Sequence, residues 1–293
     1  MLLNMDWYRI FLHTAKLGNL TKAAQELHIT QPSVSYAIKQ LEAQLEVKLF
    51  DRLSKGVKLT PEGAAVLEYV EKSFTILQLG ETKLQALKNL SAGELRIGAS
   101  GPIIKHLLLP LLDIFHAEYP DVRIRLSQGK TSDIRARLKA DQIDIGLVHL
   151  PFMDHELSVQ HLTEIQDCFV VGPAYRHLSE NTISPDQLTQ IPLLLLSEGS
   201  STRLFVEHWF SSQGLKADAD MELSSMDMLV ELAMHGYGAA FVTQAFIRQE
   251  LHEKKLFQLM LNEQIPARSV GYATRRDTTQ SIIAKRFIEL LQS

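Results

Sequence analysis

Apolar residues at Ile10, Phe11 and Ala15 recur at helical spacing and give way to Gly18-Asn19, which predicts a first helix over residues 5–17. A short second helix follows over 22–27, with Thr21 as its cap and Ala23 and Ala24 small enough to admit a neighbouring helix closely. After the turn His28-Ile29-Thr30 a third helix begins. Pro32 falls in its first turn, where the missing N–H costs nothing, and Val34, Ile38, Leu41 and Leu45 repeat at steps of four, three and four. That stripe faces a core. The opposite side carries Gln31, Ser33, Ser35, Tyr36 and Lys39, short or amphipathic groups able to reach base edges and phosphates in a major groove. Any small helical bundle also shows a polar side, so the next segment decides between the two. Residues 47–52 alternate, Ser54-Lys55-Gly56 makes a turn and residues 57–60 alternate back, placing Arg52, Lys55 and Lys58 beside the third helix within reach of phosphates. The pattern is that of a winged helix-turn-helix.

Thr60 as cap, Pro61 at the first helical position and Glu62 in the first turn then open a long helix. Val66, Val70, Ser73, Leu77, Gly80, Leu84 and Leu87 repeat at steps of four and three along it. A helix of this length runs about 42 Å at 1.5 Å per residue, more than a sixty-residue domain can cover by packing on itself. A partner helix is implied. Ser91-Ala92-Gly93 ends the segment and marks a domain boundary.

Beyond Gly93 short apolar strands alternate with amphipathic helices. Strands are predicted over 95–98, 122–127 and 143–148 and helices over 103–118 and 132–140, a parallel α/β order. A second set follows, with strands near 169–172, 193–196, 219–223 and 239–243 and helices over 203–212 and 226–235. The strand 269–273 and the helix 281–291 return to the first lobe. Two lobes joined by crossing connections make a hinged cleft, and ligands of open α/β sheets bind where strand ends face helix starts. Ser100 and Gly101, then Gly199, Ser200, Ser201 and Thr202, then Ser224 and Ser225 sit at such junctions, where hydroxyls and free backbone N–H groups favour a carboxylate, sulfate or phosphate. Each hydroxyl taken alone reads equally as a helix cap; their coincidence at strand-to-helix junctions is what points to a ligand.

Composition bounds these readings. The chain has 293 residues, 45% of them hydrophobic and 22% charged, which suits two ordinary globular domains. No apolar run approaches the ~18 residues that span a bilayer and the N-terminus lacks the features of a signal peptide, so a cytoplasmic location is expected. The net charge is -4, yet the first sixty residues hold eight Lys or Arg against five Asp or Glu, so the basic charge gathers at the predicted DNA-reading end. Cys168 is the only cysteine and lies within the strand-like CFVVG, where it reads as a small buried hydrophobe; no disulfide and no Cys-based metal cluster can form within the chain. HExxH, GxSxG, GxxxxGK and GxGxxG are all absent, so no catalytic residue, metal or cofactor is expected. An enzyme and a transport solute-binding protein are the competing classes. The missing motifs count against the first, and the winged helix-turn-helix with an N-terminus lacking signal features against the second.

The run NLTKAAQELHITQPSVSYAIKQLEAQLEVKLFDR followed by GVKLTPEG resembles the LysR-type transcriptional regulators, without a gap from Leu3 to Gly63. The resemblance puts DNA contacts on Gln31, Pro32, Ser33, Ser35 and Lys39 and on Arg52 of the wing; Thr21, Thr30, Tyr36 and Lys55 complete the candidate set. Tyr36 departs from the family, many of whose members carry Arg or His there. The family also implies dimerisation through the linker helix, Ser73 and Gly80 permitting close approach, and a periplasmic-binding-protein-like domain with its effector between the lobes. By alignment Ser100, Gln128, Thr131, His149, Ser200, Ser201 and Thr202 would line that cleft, joined by Gly101 and Ser225 from the junction pattern. His149 reads equally as a satisfied histidine at a strand end.

The expected protein is thus an α+β multi-domain chain. Residues 1–60 form the winged helix-turn-helix, 61–91 the linker and 92–293 the two-lobed effector domain, with lobe I over 92–162 and 267–293 and lobe II over 163–266. Its expected partners are promoter duplex DNA, a small effector, its own copies as homodimer and homotetramer, and RNA polymerase, with no membrane.

Overall fold

The computed structural model describes residues 4–292, so Leu3, where the family resemblance begins, and the outermost ends of the expected domains lie outside it. The chain divides into two compact units, Met1–Ala86 and Leu87–Ser293.

In the first unit α1 (Met5–Leu17), α2 (Leu20–Glu26) and α3 (Gln31–Leu45) enclose a core of Phe11, Ala23, Ala24, Val34, Ile38 and Leu41. Gly18 closes α1 in the left-handed region that glycine tolerates, at φ 59°. The second cap differs from expectation. Asn19, not Thr21, caps α2, its side chain accepting the N–H groups of Thr21 and Lys22, while Thr21 lies inside the helix. Both residue types cap well, and the extended backbone at Asn19 decides between them. Thr30 caps α3 by accepting from the N–H of Ser33.

The wing pairs β1 (Phe50–Leu53) antiparallel with β2 (Gly56–Leu59), shorter at its start than the alternation predicted. Val57 donates to the Gly18 carbonyl at 2.9 Å, and a Cβ on Gly56 would come within 2.3 Å of that oxygen, so the wing can seat against the α1–α2 turn only with glycine there. Helix α4 (Pro61–Lys88) packs Val66, Val70 and Phe74 on this core, then presents Ile76, Leu77, Leu79 and Leu84 exposed.

The second unit holds two five-stranded sheets. In lobe I, β3 (Glu94–Ala99), β4 (Arg123–Gln128), β5 (Ile145–His149), β6 (Leu157–Ile165) and β14 (Arg268–Arg275) lie in the order β4-β3-β5-β14-β6. In lobe II the order is β10-β9-β11-β7-β12, formed by β7 (Asp167–Val171), β9 (Leu193–Leu196), β10 (Met221–Leu223), β11 (Ala239–Thr243) and β12 (Phe257–Gln258). A small parallel ladder joins β8 (Thr182–Ile183) to β13 (Met260–Leu261). The sheets are mixed rather than wholly parallel, because β14 runs antiparallel to β5 and β6, and β7 runs antiparallel to β11 and β12. These reversed strands follow the two crossings between lobes.

Strand β6 carries the first lobe to Ile165, a little past the expected limit, and the chain crosses at Gln166. The helical run 101–118 contains a π-helical turn at Ile104–Leu108. Apolar clusters fill both lobes, around Phe115, Tyr272 and Phe287 in lobe I and around Phe169, Phe210 and Phe241 in lobe II.

Candidate DNA-reading and effector sites

Gln31, Pro32, Ser33, Tyr36 and Lys39 are exposed along the start and outer side of α3, with Thr30 at its cap and Ser35 half-buried. Tyr36 leaves 61% of its surface to solvent. Ser35, Lys39 and Arg52 line one hollow of about 340 Å³ between α3 and the wing. Lys55 sits at the exposed wing tip, and Thr21 is exposed on α2.

Two charged residues of this hollow were not read from the sequence, Glu42 and Lys48. The Glu42 carboxylate accepts the N–H of Leu49 at 2.9 Å and a charged bond from Lys48 at 2.9 Å. Burial opposes its charge, but these donors prevail and hold its pKa below the ordinary Glu value. The hollow thus has a carboxylate at its floor and cations at its rim.

In the second unit Ser100, Gly101, Gln128, Thr131, His149, Ser200, Ser201 and Thr202 come from both lobes to line one cavity of about 330 Å³. Ser225 does not line it. Its hydroxyl caps the helix Met226–Met234, and it borders an adjoining hollow of about 250 Å³. Ser200 also caps a helix, accepting from the N–H of Arg203 at 3.1 Å. Ser100 behaves differently. It stands at the cap position of the run 101–118 without making a cap bond, and its buried Oγ has no hydrogen-bond partner among the described residues. Helices starting at Gly101, Thr131, Ser201 and Met226 bring their N-terminal ends toward this region, while Pro102, Leu196, Met226 and Phe246 supply apolar wall.

His149 ends β5, and its buried Nδ1 has no partner among the described residues, so it is not the satisfied strand-end histidine. Burial first, then the nearby Arg268, pushes its pKa down to about 3, and the ring is neutral at physiological pH. Behind the cavity the Arg268 guanidinium pairs with the buried carboxylate of Asp167 and donates to the Thr202 hydroxyl at 3.3 Å; Thr243 donates to the other Asp167 oxygen at 2.7 Å. Burial, reinforced by Asp167, pushes the thiol of Cys168 up to about 12, so it is protonated and a poor nucleophile.

Further contacts join the lobes around the cleft. Lys130 Nζ donates to the Glu198 carbonyl at 2.6 Å, Lys105 pairs with Asp227 at 2.7 Å, and the rings of His106 and Phe246 stack at 4.1 Å.

Residues 5–64 match the family model for the bacterial regulatory helix-turn-helix of the lysR family, and residues 88–293 match that of the LysR substrate binding domain. The chain belongs to the LysR family. LysR-type regulators are DNA-binding transcription regulators with an effector-binding domain, so this chain is a regulator and not an enzyme. It is 29% identical to the HTH-type transcriptional activator CmpR of Synechocystis sp. over 97% of this chain and 93% of the relative. To the HTH-type transcriptional regulator CysL of Bacillus subtilis it is 27% identical over 91% and 89%. A full-length OxyR variant of Pseudomonas aeruginosa shares the fold at a TM-score of 0.81 and 22% identity, covering 99% of each chain. Full-length CbnR, solved with its target DNA, does so at 0.66 and 20%, covering 99% and 98%. Among the described residues no helix is long and apolar enough to cross a membrane.

Proposed function

We propose that this LysR-type regulator reads promoter DNA in the cytoplasm with α3 in the major groove and the wing on the backbone, under the control of a small anion held between the lobes of its second unit. Gln31, Ser33, Ser35, Tyr36 and Lys39 are the base-edge and phosphate contacts, supported by Thr21, Thr30 and Pro32, with Arg52 and Lys55 on the flanking phosphates. The anion lies among Ser100, Gly101, Gln128, Thr131, His149, Ser200, Ser201 and Thr202, with Ser225 at the neighbouring helix start.

The observation that carries this reading is the cavity where residues of both lobes meet around an unpartnered Ser100 hydroxyl and several helix N-termini. Two-fold pairing through the exposed apolar side of α4 makes the homodimer that a two-half-site operator requires, two dimers make the tetramer, and RNA polymerase is the partner through which the bound regulator acts. On this reading residues 1–60, 61–91 and 92–293 are the reading, linking and sensing parts. Effector binding shifts the balance between lobe arrangements and so the spacing of the paired reading heads. Footprints and bend angles on a promoter fragment should differ with and without the effector; identical ones would count against this mechanism.

A further inference from the structure

The candidate anion contacts read from the sequence are all neutral groups, yet selecting an anion over a neutral molecule of the same shape calls for a fixed positive field. Lys130 lines the cavity, but its ammonium is taken by the Glu198 carbonyl of the other lobe; Arg268, which the sequence pattern did not single out, donates to the lining residue Thr202 from behind. It starts β14 just after the second lobe crossing, while its partner Asp167 starts β7 just after the first, 101 positions away in sequence. Both are almost wholly buried.

The pair has a direction. Asp167 takes the guanidinium Nε and the Thr243 hydroxyl, and its charge is felt by Cys168. Arg268 extends the other way: Nη2 donates to Thr202, the charge is felt by His149, and the buried Nη1 has no partner among the described residues. The ion pair is therefore a buried dipole whose positive end adjoins two cavity-lining residues, Thr202 and His149, and whose negative end adjoins one, Thr243, which screens it by donating its hydroxyl. Among the described residues three polar atoms capable of donating stand unpartnered here on three strands or their ends, Ser100 Oγ after β3, His149 Nδ1 on β5 and Arg268 Nη1 on β14. A buried donor without a partner is costly unless something else satisfies it.

The nearby formal charges sum to zero, Arg268 and Lys130 against Asp167 and Asp133, but of these only Arg268 and Asp167 are ion-paired among the described residues: Asp133 accepts the backbone N–H of Lys130, whose ammonium donates to the Glu198 carbonyl. One added negative charge meets the positive end of the dipole and the helix N-termini; a second would meet a cavity-lining cation only where Lys130 gives up its bond to the Glu198 carbonyl.

We propose that Arg268 is the specificity-determining residue of the cleft. Held by Asp167, it makes the site select a singly charged anion over its neutral isostere and over a dianion. This rests on the reading of the cleft as an anion site and adds the residue and the charge.

The test uses the full chain and three near-isosteric probes at constant ionic strength: isobutyrate, isobutyramide and methylmalonate, with binding read from the rise in melting temperature. The expected order is isobutyrate first, with at least tenfold weaker binding of the other two. Asp167→Asn/Arg268→Gln, which removes both charges without stranding either, should abolish the preference for isobutyrate over the amide. Arg268→Lys keeps the charge and should keep the preference for the anion at lower affinity, which separates a field effect from a merely structural one. Methylmalonate or sulfate binding best, with dependence on Ser100 and Thr202 but not on Arg268, would overturn this assignment and leave the anion reading standing. Equal shifts from all three probes would overturn it as well. If neither these probes nor sulfate binds, and Ser100→Ala and Thr202→Ala change nothing, the anion reading falls with it.

Discussion

The Glu42 carboxylate accepts the backbone N–H of Leu49 at 2.9 Å, so α3 and the residue that leads into the wing are tied by one side chain. Bonds to a charged acceptor contribute about 1.5–3 kcal/mol each, and removing this one strands buried N–H groups. Glu42→Ala should therefore cost the first unit about 2 kcal/mol. In a Trp209→Phe background Trp7 is the remaining tryptophan, and its fluorescence through a urea titration reads that unit. Because the native pKa is depressed, the contribution is complete above the ordinary Glu value and fades as pH falls through it toward the lower native one. The gap between Glu42→Ala and the parent should narrow below about pH 4.

Arg52→Ala should weaken promoter binding uniformly across sequences and lower the slope of log affinity against log salt by about one, the signature of one lost phosphate contact. Ser35→Ala should weaken binding with little change in that slope. Fluorescence anisotropy on a labelled promoter duplex from about 50 to 200 mM KCl separates the two, and a slope unchanged by Arg52→Ala removes the wing from the interface.

Ser100→Ala and Thr202→Ala should leave promoter binding without effector unaltered and abolish the response to it, seen in a gel shift titrated with effector. Normal induction in both variants would take these residues out of the site.

The depressed pKa of His149 sets a pH dependence with a definite sign. The unfolded chain takes up a proton near the ordinary pKa of about 6.5 while the native ring waits until about 3, so stability falls as pH drops between them, by at most about 1.4 kcal/mol per pH unit. Urea midpoints of the second unit at pH 7 and pH 5 should show this loss, and His149→Gln should flatten it.

Leu77→Glu with Leu84→Glu should convert the assembled protein toward monomer, read as mass by light scattering. Both side chains are more than half exposed in the single chain, so lost folding energy would not account for such a change.

The first sixty residues were almost wholly legible, since their signals are local: a helix stripe, a proline, a turn and an alternation. The second unit was legible where strands are apolar throughout, as at Leu193–Leu196, and obscure at β6, whose LSVQHLTEI mixes polar groups into an edge strand. Ser225 was drawn into the cavity set by sitting at a helix start, although its hydroxyl is taken up by the cap. Arg268, Asp167 and Glu42 escaped because their meaning lies in partners far along the chain or in backbone N–H groups, neither of which leaves a periodic trace.

The thiol of Cys168 offers a clock. Sealed in lobe II and protonated far above neutral pH, it should stay inert to disulfide reagents while the strand holds, then react once as that sheet opens. With no second cysteine to confuse the signal, the rate of its labelling would time the opening of a single lobe within the intact regulator.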